Sequence, residues 1–241
     1  ACLALPMLAL PTLASDWVEL GPAPIVTGSY TGRLSSVVAS PPDPNKYYVG
    51  GADGGVWKTL DGGTSWIPLT DFLPICSIGA LALDPTNDEV LYAGSGEANY
   101  ANHSVYGLGL YKTTDGGQTW EILAQDTFAG RTFARLAVSP TNTEVLYAAI
   151  GHAGGFPART AAKGHPLGDG PVGVFKSIDG GHNWSQLTNG IPAIAATDLV
   201  VDPGDGDRVF AAIGHVFGDN ANGVYRSIDG GASFVKLAGG L

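Results

Sequence analysis

The chain has 241 residues, with 36 Gly and 16 Pro, and only 14% charged residues against 44% hydrophobic ones; it has enough apolar surface for a core and reads as turn-rich rather than disordered. Its formal charge of −10, from 12 basic and 22 acidic residues, excludes the basic footprint that nucleic acid or an anionic membrane surface requires. Two cysteines, Cys2 and Cys76, are too few for a disulfide framework.

In chain order, residues 1–14 (ACLALPMLALPTLA) read as the apolar and cleavage regions of a secretory signal, with cleavage after Ala14. The run is shorter than the roughly 20 apolar residues of a membrane span and is broken by Pro6 and Pro11, so export without membrane insertion is expected, to the periplasm or the extracellular space. Removal of this segment leaves Cys76 unpaired, as a small buried apolar residue. The short segment Trp17–Leu20 (WVEL) matches later strand-like segments (WIPL, WEIL, WSQL) and is expected to close a ring by completing its last unit.

From there the chain repeats itself. Four nine-residue strings, KTLDGGTSW (58–66), KTTDGGQTW (112–120), KSIDGGHNW (176–184) and RSIDGGASF (226–234), each follow a short β-type run. Upstream of each lies an apolar strand, a Pro/Asn/Asp turn and a second apolar strand, as in GALALDPTNDEVLYAG and ARLAVSPTNTEVLYAA. Each unit therefore holds four strands, A to D. In the second unit these are expected at Leu81–Leu83, Leu91–Ala93, Leu108–Lys112 and Thr119–Leu123, with no helical periodicity anywhere. The predicted fold is all-β: a β-propeller of four-stranded antiparallel blades at about 32–70, 77–124, 133–188 and 196–238, forming a four-blade portion of a larger propeller within 15–241.

The DGG string falls on the C–D hairpin. There Asp61, Asp115, Asp179 and Asp229 can accept backbone N–H groups, glycine supplies positive φ, and Trp66, Trp120, Trp184 and Phe234 can anchor the turn between layers. These strings resemble the Asp-box, or bacterial neuraminidase repeat, with Asn183 and Phe234 as departures. The resemblance implies a structural role for the box, away from the working face.

Alignment of the units at the end of strand B places Asp53, Glu97, His152 and His215 in one column, leading into the B–C loops on the face opposite the boxes. Those loops also vary most in length and carry Tyr100, Tyr106, Arg159 and His165, aromatic and hydrogen-bonding groups suited to sugar or peptide contact. The column admits three readings: Asp53 and Glu97 as the two carboxyls of a glycoside hydrolase, the acids and histidines as ligands of a divalent metal, or all four as partners of loop backbone. No phosphate-cradling glycine loop, Cys/His zinc spacing or Gly-x-Ser-x-Gly elbow occurs, so no cofactor and no metal site is assigned.

The strand–turn–strand segments and the run DGGVWKT also resemble the amino-terminal propeller of glycoside hydrolase family 74 xyloglucanases. That resemblance implies a catalytic aspartate after the first strand B; here the run is Ala52-Asp53-Gly54-Gly55, with the acid displaced by one residue. The stretch from Trp17 to Trp120 is similar as well to secreted sortilin-like and photosystem-assembly-factor-like repeat proteins. The sequence thus points to a secreted propeller that binds an extracellular glycan or polysaccharide on its B–C face. The alternatives are a polysaccharide-cleaving glycoside hydrolase and a protein-binding propeller.

Overall fold

The computed structural model describes residues 33–98, 104–152, 170–214 and 219–238. The leader, Trp17–Leu20, Tyr100, Arg159, His165 and His215 lie outside the described residues. Four antiparallel sheets follow one another along the chain, each with its strands in sequence order. Blade 1 contains β1 (Leu34–Ala39), β2 (Tyr47–Gly51), β3 (Gly55–Thr59) and β4 (Ile67–Pro68); blade 2 contains β5 (Ile78–Asp84), β6 (Asn87–Ser95), β7 (Leu110–Thr113) and β8 (Glu121–Leu123). Blade 3 contains β9 (Arg131–Val138), β10 (Leu146–His152), β11 (Gly173–Ser177) and β12 (Ser185–Leu187); blade 4 contains β13 (Ala196–Asp202), β14 (Asp205–Ile213), β15 (Gly223–Ser227) and β16 (Val235–Lys236). The first strands β1, β5, β9 and β13 together line one cleft, which places them around a common axis. The fold is a portion of a β-propeller.

Successive residues of a strand face opposite sides of its sheet, and in blades 2 and 3 both sides are covered, so the runs Leu91–Gly94 and Leu146–Ile150 are apolar throughout rather than alternating. In β6, Leu91 and Ala93 pack toward blade 1 with Tyr48 and Val56, whereas Tyr92 packs toward blade 3 with Leu136 and Phe175. In β10, Leu146, Ala148 and Ile150 face blade 2, and Tyr147 and Ala149 face blade 4. Among the described residues the core is therefore three layers, one at each junction between consecutive blades.

The sequence does not signal one element. After β8 the chain makes a single helical turn, α1 (Gln125–Phe128), entered through Ala124 in the left-handed region at φ 54°. Its fully buried Phe128 meets Phe133, Phe175 and Trp184 edge-on at centroid distances of 4.9, 5.2 and 5.4 Å. A four-residue turn is too short to show a 3.6-residue period, and this aromatic cluster holds it in place.

Candidate functional site

The DGG turns close the C–D ends of the blades. In blade 1, the Thr59 hydroxyl donates to Asp61 Oδ1 (2.8 Å) and accepts from the Gly63 N–H (2.9 Å). Ser65 donates to Asp61 through its N–H (2.8 Å) and its hydroxyl (2.6 Å). Asp115, Asp179 and Asp229 accept the equivalent bonds in the other blades. Each indole of Trp66, Trp120 and Trp184 donates to the carbonyl of the second turn glycine, at 3.1, 3.2 and 2.9 Å, and Phe234 is buried in the equivalent place. These bonds hold all four carboxyls at about 2, below their ordinary value of 3.8. The donors come from the turns themselves.

The opposite ends of the blades, where strand B hands over to strand C, carry a different set. Asp53 is exposed in the turn between β2 and β3, whose Ala52 N–H donates to the Arg33 carbonyl at 2.9 Å. In blade 2, β6 runs into Gly96, at φ 84°, and then Glu97. The Gly96 N–H donates to Ser77 O (2.7 Å), the Glu97 N–H to Val105 O (3.0 Å), and the Phe133 N–H of blade 3 to Gly96 O (3.2 Å). Only glycine fits at position 96, because a side chain there would run into the backbone of Gly107 and Arg131. The loop is thus fastened to the next blade, and Glu97 is carried inward to 2% exposure.

There Glu97 Oε2 meets Arg33 Nη2 of blade 1 at 2.6 Å, with the Arg33 side chain 42% exposed. In blade 3, half-buried His152 ends β10 directly opposite Arg131 in the strand register. Arg131 is itself buried and donates from Nε to Pro171 O at 3.2 Å. Tyr106 is half-buried in the loop that leads to β7.

Asp53, Glu97 and His152 therefore lie at or just past the end of strand B in three consecutive blades, in three environments: an exposed turn, a buried carboxylate paired with a solvent-reaching arginine, and a half-buried strand end. Glu97 forms an ion pair with Arg33. Among the described residues, no three His, Cys, Asp or Glu side chains converge as a metal site. Arg33 and Arg131 are the residues that the sequence reading did not assign to the site. Their signal was present, since both sit at the mouth of a strand A beside a column residue, but reading it requires the A–B register.

No family model matches the chain. It is similar to a xyloglucanase of Paenibacillus sp, 27% identical over 177 residues, which covers 68% of this chain and 15% of that protein. It is also similar to an oligoxyloglucan-reducing end-specific xyloglucanase of Emericella nidulans, 22% identical over 192 residues, or 75% of this chain and 20% of that one. This chain thus spans a fifth or less of these relatives. Among solved structures, the GH74 enzyme of Niastella koreensis superposes with a TM-score of 0.62 at 20% identity, over 83% of this chain and 28% of that one. YCF48 bound to D1 peptide superposes with a TM-score of 0.54 at 15% identity, over 97% of this chain and 62% of that one. The described residues form four blades of a propeller, and the chain is similar in sequence to proteins named as xyloglucanases and in structure to GH74 and YCF48 propellers.

Proposed function

We propose that this chain is part of an exported propeller that binds a β-glucan-type polysaccharide on the face carrying Arg33, Asp53, Glu97 and His152. The observation that carries the reading is the similarity to proteins named as xyloglucanases along two thirds to three quarters of the chain. The choice of face follows from chemistry: the acids of the DGG turns are consumed by their own turns, whereas the B–C ends present an exposed carboxylate, a half-exposed guanidinium, a histidine and a tyrosine. Sugar recognition calls for such a mixture of charged hydrogen-bonding groups and aromatic surface. Tyr100, Tyr106, Arg159, His165 and His215 supply further ligand contacts in this reading.

Binding is favoured over hydrolysis by the state of the two carboxyls. Glycoside cleavage uses two acids flanking the scissile bond; Asp53 is exposed, but Glu97 is buried against Arg33. Export rests on the apolar leader, and among the described residues no helix is long and apolar enough to cross a membrane.

Calorimetric titration of the full chain with xyloglucan oligosaccharide, run beside a reducing-sugar assay on the polymer, tests this reading. Binding without release of reducing ends is expected, and Asp53→Ala should weaken it roughly tenfold, about 1.4 kcal/mol. Absence of binding at millimolar sugar would remove the glycan reading. Release of reducing ends that Asp53→Ala abolishes would replace it with the hydrolase.

A further inference from the structure

The junctions between blades share one lock. Lys58, Lys112 and Lys176, each on strand C, lie over the rings of Tyr48, Tyr92 and Tyr147 at 5.9, 5.2 and 5.4 Å. Each ammonium donates across the boundary to the carbonyl of the first turn glycine in the next blade: Lys58 to Gly116 at 2.7 Å, Lys112 to Gly180 at 3.3 Å, Lys176 to Gly230 at 2.6 Å. Leucine fills the space over the second glycine, with Leu69 on Gly117, Leu110 and, farther off, Leu123 on Gly181, and Leu187 on Gly231.

An acid completes the lock. The N–H of the first glycine donates to the backbone carbonyl of Glu89, Glu144 or Asp207, and the same residue lays its carboxylate over that glycine. A methyl group on Gly180 would lie 2.8 Å from Glu144 Oε2 and 3.0 Å from Lys112 Nζ; on Gly230 it would lie 2.9 Å from Asp207 Oδ1 and 3.2 Å from Lys176 Nζ. In blade 1 the equivalent residue is Asn45, whose carbonyl accepts the Gly62 N–H. The acid is thus present in each of the three blades that receive a lysine and is replaced by a neutral amide in blade 1.

Blade 4 carries the outgoing half of this lock. Arg226 stands where the lysines stand and is exposed. Around it, Val200 is 48% exposed where Ala82 is 6%, and Leu237 is 38% exposed where Leu69 is 7%. We propose that this face docks a fifth blade of the same ring, and that Arg226 selects one whose DGG turn is flanked by a carboxylate. The face continues an interface already repeated three times, and a guanidinium can pair with a glycine carbonyl and a carboxylate together. Blade 1 of a second copy of this chain offers Asn45 in that position, so head-to-tail self-pairing does not supply the carboxylate.

The test places a copy of residues 189–238, which carries its own Asp207 and Gly230, directly after Ala238 in place of residues 239–241. The extended protein is expected to stay monomeric and to melt about 3 °C or more above the parent. Arg226→Ala in the original blade, or Asp207→Asn in the appended one, should remove at least half of that gain. Arg226→Lys should keep it, and Arg226→Ala in the parent should move its melting by less than about 1 °C. A copy of residues 33–70 appended instead should give less than half the gain. The proposal is overturned by equal gains from the two copies, by indifference to Arg226→Ala, or by an appended blade that gives no rise. Sedimentation showing that the parent dimerises through Arg226 would overturn it in favour of a second copy.

Discussion

Arg33, at the entrance to β1, and Glu97, just past the end of β6, form an ion pair at 2.6 Å that crosses from blade 1 to blade 2. One partner is buried and the other reaches solvent, so the pair both fastens the junction and presents a guanidinium on the candidate binding face. Arg33→Ala leaves the buried carboxylate without this counter-charge. Breaking a fully buried pair costs about 3–5 kcal/mol, and the exposure of Arg33 reduces this to about 2 kcal/mol in urea unfolding. Glu97→Gln removes the charge that needs compensation, so a double-mutant cycle should show a coupling of about 1 kcal/mol or more. Strict additivity would mean that the pair contributes nothing as a pair.

Acid should unfold the protein through its turns. Asp61 is held at about 2 chiefly by the Ser65 hydroxyl, Asp115 by the Thr119 hydroxyl, Asp179 by the Asn183 N–H and Asp229 by the Ser227 hydroxyl. A carboxyl that titrates lower in the folded chain than in the unfolded one takes up its proton preferentially on unfolding. Its stabilisation is complete above the ordinary value of 3.8 and is lost as pH falls toward about 2. Melting temperature measured against pH should therefore drop steeply below about pH 4, and Asp115→Asn should make that slope shallower. A melting temperature that is flat down to about pH 2 would contradict the assignment.

Two glycines, substituted alike, should behave oppositely. Gly117 has φ 94°, and a Cβ there would lie 2.5 Å from Leu69 Cδ1 of the preceding blade. Gly117→Ala adds left-handed strain to overpacking and should cost about 2–4 kcal/mol. At Gly204 the nearest atom to an added methyl is Asp202 Oδ1 at 3.5 Å, and Gly204→Ala should stay within about 0.5 kcal/mol. Chemical denaturation of the pair separates the junction glycines from ordinary turn glycines.

Phe128 ties the α1 turn to blades 2 and 3. Phe128→Ala should cost about 3–5 kcal/mol, as for other fully buried aromatics, and Phe128→Leu clearly less. Because Trp184 stacks edge-on against this ring, its fluorescence should report the loss before global unfolding does.

The four-strand units and the placement of the DGG turns were legible because they are local: apolar runs, turn residues and hairpin spacing lie close together in the chain. Where the expected boundaries slipped, a non-local cause is visible. Strand A of blade 2 begins at Ile78 rather than Leu81, because a register shift between Ile78 and Ala80 lets the pairing with β6 continue to Ser95. Strand C begins at Leu110 rather than Leu108, because the Ser95 hydroxyl takes the N–H groups of Leu108 and Gly109, and Gly109 has φ 147°. The double glycine was readable as turn chemistry, but its second half receives a leucine from another blade, and no local pattern records that. The same holds for the site. The repeat alone puts Asp53, Glu97 and His152 at strand-B ends, whereas their different environments, and the pairing of Glu97 with Arg33, depend on how neighbouring sheets are set against each other.

Since β5 leans on β1, β9 on β5 and β13 on β9, with the apolar layers lying between sheets rather than within one centre, the stability of the arc is a chain of nearest-neighbour terms. Heat or denaturant should then peel the structure inward from its outer blades, and a defect at the Phe128 junction should split the cooperative unit into two halves that melt separately.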